Sequence, residues 1–187
     1  GTPADPRAAL VLARRCNDTR RHAQAAAVAA PFCATGKAAP ELASQHVNAL
    51  VALGRGNEAL AFYRHLVEGS PANADAAHAL AIALQAANRH DEAECTLGQV
   101  LSRGHSTAAL CYTLARSLIA LGAFERAEAA LRDCLRQESQ HVDAHNDLAR
   151  LIWMLTGEAA QATAMLDEVL RKSPGNDALR AAKAAVL

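Results

Sequence analysis

Aromatic residues make up only 3% of this 187-residue chain although apolar residues reach 51%. The difference is largely alanine, roughly a quarter of all residues, a strong helix former that brings almost no core volume. A core of this composition requires helices in close contact. Net charge is also missing. With 19 Lys+Arg against 19 Asp+Glu the formal charge is zero, which excludes the basic excess of a phosphate-driven nucleic-acid binder and the polybasic segment of a membrane anchor. No uncharged run has the ~18 apolar residues of a membrane span. The nearest, from His22 to Gly36, is 15 residues long, rich in Ala rather than Leu, and carries Gln24 and Pro31. The opening Gly1-Thr2-Pro3 has neither an initiator Met nor a basic-then-apolar leader and reads as a processed end rather than a signal peptide.

Paired cysteines are lacking too. The five cysteines, Cys16, Cys33, Cys95, Cys111 and Cys134, are odd in number, contain no C-x-x-C and have no histidine at zinc-finger spacing. Each lies among apolar residues on a predicted helix, where a free thiol behaves as a small hydrophobe. Reduced structural thiols in a cytoplasmic, reducing compartment are expected.

What the chain does have is a period. Ala25, Ala59, Ala93 and Ala127 are each 34 residues apart, and Ala162 follows after 35. Gly54, Asn88, Gly122 and Gly157 each precede one of these alanines by five residues, at helix-ending places that want a left-handed residue. Leu12-Ala13 recurs as Leu80-Ala81, Leu114-Ala115 and Leu148-Ala149, with His46-Val47 in the second unit. Pro71 and Pro174 close the second and fifth units. Each unit reads as two amphipathic helices of about 12 to 14 residues around a short polar turn. A pair this short cannot bury its apolar face alone, so successive pairs stack into a continuous core. Small residues at Ala81, Ala115 and Ala149 and at Ala59, Ala93 and Ala127 let the axes approach, and Tyr63, Leu97, Leu131 and Leu166 fill between layers.

This spacing, with its Leu-small pair, helix-ending Gly, mid-repeat Ala and terminal Pro, resembles the tetratricopeptide repeat over nearly the whole chain. The expected fold is all-α, an α-solenoid of stacked antiparallel helix pairs. Five repeats are placed at about 6–39, 40–73, 74–107, 108–141 and 142–176, after a tail of residues 1–5 and before the first helix of a partial sixth repeat at 177–187. Two departures stand out. The first unit lacks the turn Gly and carries Pro31, which should kink or shorten its second helix. An extra residue enters the fifth unit near Thr156.

The resemblance implies a right-handed superhelix whose first helices line a concave groove that receives an extended peptide or a partner helix. The period then proposes the groove residues: Gln45 and Asn48, His78 and Gln85, Tyr112 and Arg116, then Asn146, Arg150 and Trp153, with Arg14 at the matching place in the first unit. Arg116 and Arg150, one period apart, suit carboxylates, because the guanidinium is a planar fork of donors. Asn48 and Asn146 suit a peptide backbone, and Tyr112 and Trp153 offer rigid aromatic surface. The plain structural alternative is that Arg150 pairs with Asp143 or Asp147 and the aromatics pack between layers. Chaperone-binding members of the family carry a carboxylate clamp of Lys, Asn and Arg. Asn48 fits its first Asn, but Ser44, Ala79, Ala109 and Thr113 replace the other four, which disfavours a chaperone-tail receptor.

Chemistry signals are sparse. His141, Asp143 and His145 have helical spacing but no later His completes a metal triad. There is no H-E-x-x-H, no G-x-S-x-G and no phosphate loop, since Gly36-Lys37 lacks both the earlier glycine and the following Ser/Thr. The expectation is a non-catalytic protein-interaction scaffold without cofactor or metal, binding a protein or peptide that presents acidic or C-terminal carboxylates. Neither nucleic acid nor membrane is an expected partner. Homo-oligomerisation through an array end is a further expectation, because the chain stops on apolar Ala184-Ala185-Val186-Leu187. The alternative is the N-terminal repeat region of a larger enzyme: Leu151-Ile-Trp-Met154 followed by Gly157 resembles repeat regions of bacterial proteins with a 2-oxoglutarate/iron oxygenase domain, whose catalysis would lie beyond Leu187.

Overall fold

A computed structural model describes residues 5–35, 38–69, 73–172 and 174–186, with side chains except at 172, 185 and 186. Pro71, the Gly36-Lys37 pair, Gly1-Thr2-Pro3 and Leu187 lie outside the described residues, as do the side chains of Ala185 and Val186. Among the described residues there are eleven α-helices and no strand: α1 (Pro6–Asp18), α2 (His22–Cys33), α3 (Pro40–Ala52), α4 (Gly56–Gly69), α5 (Ala74–Ala86), α6 (His90–Ser102), α7 (Ala108–Ala120), α8 (Phe124–Gln137), α9 (Val142–Thr156), α10 (Ala159–Lys172) and α11 (Asp177–Val186). None of them is long and apolar enough to cross a membrane.

The helices form two compact units, residues 1–83 and 84–187. In the first, α1 packs on α2 and α3, and α3 on α4. Its core is made of Ala9, Ala13, Val28, Ala29, Cys33 and Leu42, with Phe32 and Phe62 packed against it. In the second, consecutive helices pack from α6 to α11, and α11 also meets α9. Leu118, Leu131, Leu148, Leu166 and Leu179 form the spine of that core. Within each unit the alanines of the period do what their size allows. Ala13, Ala25, Ala81, Ala93, Ala115, Ala127, Ala149 and Ala162 are completely buried, and a methyl side chain at each point lets neighbouring axes come close.

The turns explain where the helices stop. In four repeats the chain leaves the first helix through a left-handed residue, at Arg20, Gly54, Asn88 and Gly122. The next N–H then reaches back to a helix carbonyl five residues earlier: Arg21 to Cys16, Arg55 to Leu50, Arg89 to Leu84 and Ala123 to Leu118, at 2.7–2.9 Å. This is the Schellman closure, which satisfies carbonyls that the helix end leaves bare. The first repeat, which has no turn glycine, makes the same closure with Arg20 at φ 57°. The fifth ends differently. α9 runs to 15 residues and stops at Gly157, whose N–H bonds the Trp153 carbonyl at 2.8 Å, so the extra residue is taken up by the helix and its cap. α2 continues through Pro31 and ends two residues later, at 12 residues the shortest second helix, as a missing N–H near a helix end requires.

Candidate functional site

The proposed groove residues all lie on first helices, and each unit uses them differently. Counting each repeat from its first residue (6, 40, 74, 108 and 142), they occupy the fifth, sixth, ninth and twelfth places. In the first unit Asn48 is exposed on α3, and Gln45 is half-buried. Asn17 Nδ2 on α1 donates to the Gln45 carbonyl at 2.9 Å and to Gln45 Oε1 at 3.0 Å, while His22 Nδ1 lies 3.2 Å from Asn17 Oδ1 and donates to it. His78 on α5 is half-buried, and burial pushes its pKa down, with Asp75 opposing. A cavity of about 120 Å³ opens beside Ser44, Tyr63, Leu66, Asp75 and Ala79. Ser44 turns its hydroxyl back to the Pro40 carbonyl at 2.9 Å.

In the second unit Gln85 is also engaged. Its Nε2 donates to the Thr113 carbonyl at 2.6 Å and to Ser117 Oγ at 2.7 Å. The bond from Asn17 to Gln45 and the bond from Gln85 to Thr113 are one device used twice: a twelfth-place amide donates to the sixth-place carbonyl of the next repeat, 28 residues on. The period proposed Gln45 and Gln85 as groove residues but gave no sign that each was held by its neighbour. The signal in the sequence is the amide itself, since the twelfth place holds Asn17 and Gln85 here but Val51, Ile119 and Trp153 in the other repeats.

Tyr112, Arg116, Asn146, Arg150 and Trp153 come from α7 and α9. Tyr112 donates its hydroxyl to Asp147 Oδ2 at 3.2 Å, and its ring lies 4.6 Å from that of His141 at 42°. Burial first, and then the Asp147 carboxylate, push its phenol up to about 12. Arg150 Nη2 meets the other oxygen of Asp147 at 3.1 Å. Asp147 is therefore shared between a phenol and a guanidinium. Arg116 is exposed and has no acidic partner among the described residues, yet it is close enough to lower the Tyr112 pKa electrostatically. The two guanidinium groups thus differ: one is already neutralised and the other is open. Asn146 is half-buried, and its Oδ1 is buried without a partner among the described residues. Trp153 is 41% exposed and continues into Met154 and Leu155, both also exposed.

The remaining candidates are occupied locally. His141 caps α9, its Nδ1 accepting from the Ala144 N–H at 3.2 Å. His145 is buried with Nε2 at 2.9 Å from the Ser139 carbonyl. Among the described residues no three His, Cys, Asp or Glu side chains are grouped to hold a metal. Thr113, where the chaperone clamp has Arg, is buried and donates to the Ala109 carbonyl of its own helix at 2.8 Å.

Comparison with known proteins bears on the family and the fold. Two models of the tetratricopeptide repeat match residues 50–117 and 112–177. No curated protein matches the sequence. Among solved structures, MamA from residue 41 to its end, from Desulfovibrio magneticus RS-1, superposes with a TM-score of 0.73 at 16% identity, over 95% of this chain and 99% of that one. TTC0263, a thermophilic TPR protein of Thermus thermophilus, gives 0.65 at 21% identity over 97% and 98%. YrrB, described as a TPR protein with an unusual peptide-binding site, gives 0.68 at 16% identity over 96% and 92%. At these identities the likeness is one of fold.

Proposed function

The chain belongs to the tetratricopeptide repeat family, an α-solenoid of stacked antiparallel helix pairs, and on that premise we propose that it is a protein-interaction scaffold whose first-helix face takes an acidic peptide segment. The observation that carries this reading is Arg116. It is an exposed guanidinium without an ion pair among the described residues, on the face where Tyr112, Arg150 and Trp153 also lie. A ligand carboxylate at Arg116 gains a charge-assisted, bidentate partner. Arg150 already has Asp147 as a partner, so Arg116 is the stronger carboxylate site of the two. Trp153 and Met154 then offer apolar area to a large side chain beside that carboxylate, in the manner of an interface anchor. YrrB, with its peptide-binding site, supports a peptide as the class of ligand, and the five free cysteines support a reducing compartment such as the cytoplasm. No catalytic step is proposed.

The test is a fluorescence-anisotropy titration with a labelled peptide ending in a free carboxylate preceded by Leu or Phe, against the native chain and Arg116→Glu. Affinity should fall by about tenfold or more in the variant with an unchanged far-ultraviolet circular dichroism spectrum. Equal affinity in the two proteins refutes the site.

A further inference from the structure

The fourth repeat sets two cysteines level with each other across its helix pair. Cys111 on α7 stands eleven residues before Gly122, the left-handed turn between α7 and α8, and Cys134 on α8 stands twelve residues after it. Along an antiparallel pair both then lie about 17 Å from that turn. These are the fourth and twenty-seventh places of the repeat, and other repeats show the same two places meeting. Phe32 packs on the cluster that contains Ala9, Ala43 and Leu66 line one cavity, and His145 and Glu168 line another. One turn closer to Gly122 the level is held by Ala115 and Ala130, both buried, so the two axes can approach at the short end of the packing range. A disulfide needs such an approach, with Cα atoms within about 7 Å. Cys16 and Cys33 differ from this pair: four and thirteen residues from Arg20, they stand at different levels of α1 and α2.

Side-chain contacts tie Cys111 to the turn of α8 that carries Cys134. Gln137, three residues after Cys134, brings Nε2 to 3.6 Å from Cys111 Sγ and donates to Ser106 Oγ at 2.8 Å. Ser106 Oγ lies 3.5 Å from the same sulfur and keeps its own hydrogen for it. Ser106 and Gln137 are both exposed, so Cys111, itself 3% exposed, lies directly beneath a thin polar cover. Cys134 is completely buried in one apolar cluster with Cys111, and its sulfur takes no hydrogen bond among the described residues. Burial first, and then the neighbouring Cys111, push its pKa up to about 11.

We propose that Cys111 and Cys134 are a reversible disulfide site, closed by a peroxide and reopened by a dithiol. Cys111, under the exposed cover, attacks first: its S–O bond forms as the O–O bond breaks, and the leaving hydroxide takes up the thiol proton as water. Gln137 Nε2 and Ser106 Oγ stand where they can donate to the oxygen of that sulfenic acid. Cys134 then attacks the Cys111 sulfur; the S–S bond forms, the S–O bond breaks, and the oxygen leaves as water with the Cys134 proton. Two thiols give up two electrons in all and one peroxide becomes two waters. A dithiol reverses the link by exchange, ending as a disulfide itself. The closed link ties the first turn of α7 to the last turn of α8. A reducing compartment holds the pair open, as the two free thiols are in this structure.

The probe is hydrogen peroxide, small enough to pass a cover that stops bulkier reagents, applied to the folded chain carrying Cys95→Ser, which removes the exposed thiol. After alkylation and digestion with trypsin, mass spectrometry should find the peptide 104–116 joined to 133–136, and dithiothreitol should release the two. In urea the same treatment should scatter the links among all four remaining cysteines. In Cys134→Ala, Cys111 should accumulate as a sulfenic acid trapped by dimedone, and in Cys111→Ala the Cys134 thiol should stay reduced. Absence of the link in the folded chain, a link through Cys16 or Cys33 in its place, a share of this pairing no larger folded than in urea, or a sulfenic acid on Cys134 in Cys111→Ala each overturns the proposal.

Discussion

Replacing Gln85 by Met separates a joint from a ligand contact, because the two readings predict opposite pairs of effects. Methionine keeps the length and apolar stem of the side chain and removes only the amide. What is lost is two donor contacts, 2.6 Å to the Thr113 carbonyl and 2.7 Å to Ser117 Oγ. A neutral hydrogen bond contributes about 0.5–1.5 kcal/mol net, so two bonds set an upper range of about 1–3 kcal/mol. The lower half of that range applies, since Ser117 Oγ still donates to the Thr113 carbonyl at 3.3 Å and neither acceptor is orphaned. The expected loss is about 1–2 kcal/mol, read as a lower urea midpoint and as faster amide exchange in α7 than in α9. A double-mutant cycle with Ser117→Ala should return a coupling of about 0.5–1 kcal/mol. Native stability in Gln85→Met together with weaker peptide binding would refute the joint and return Gln85 to the ligand site. Zero coupling with Ser117 would show that the contact carries no energy.

Three further outcomes are expected. Arg20→Gly should raise stability by about 1 kcal/mol, measured by urea denaturation, because the left-handed turn of the first unit then carries no Cβ; an unchanged or lower midpoint would contradict the strain. The Tyr112 phenol, pushed up to about 12, binds its proton more tightly folded than unfolded. The stability it lends is complete below the ordinary phenol pKa, near 10, and is lost as pH climbs from there towards 12. Asp147→Asn should lower the Tyr112 midpoint in an ultraviolet titration, and no change would remove Asp147 as a cause. One thiol, Cys95, should react rapidly with an aromatic disulfide reagent in the native protein, and the four buried thiols only on unfolding. Burial also holds Cys33 and Cys134 as thiols, with pKa values pushed to about 11.

Period and helix content were readable from the sequence because they repeat: Ala25, Ala59, Ala93 and Ala127 sit at one place in successive units and are all buried, so a single physical demand leaves several marks. Gly54, Asn88 and Gly122 advertised the left-handed turns for the same reason. Arg20 did not, because its conformation is imposed by the Schellman bonds of the turn and runs against its own preference. The seam amides were missed for a different reason. A twelfth-place Gln is compatible with solvent, ligand or neighbour, and only the position of the next helix selects among them. Arg150 was legible as an alternative, since Asp147 stands three residues before it and an i, i+3 pair is local. That Asp147 also accepts from Tyr112 depends on α7, 35 residues away, and no local pattern encodes it.

The twelfth place, followed through the repeats, separates first helices whose polar groups are spent on a joint from those whose side chains stay exposed. Asn17 and Gln85 tie their carbonyl partners to the next helix, so the polar groups there are spent on the joint. Val51 and Trp153 tie nothing and remain exposed at 57% and 41%. At both places an exposed ninth-place side chain precedes the exposed apolar one, Asn48 before Val51 and Arg150 before Trp153. Substituting Val51→Gln recreates a twelfth-place amide with the Ala79 carbonyl 28 residues on. If the joint works as argued, that change should stiffen the α3 seam, slowing amide exchange there, and weaken any ligand that uses Val51.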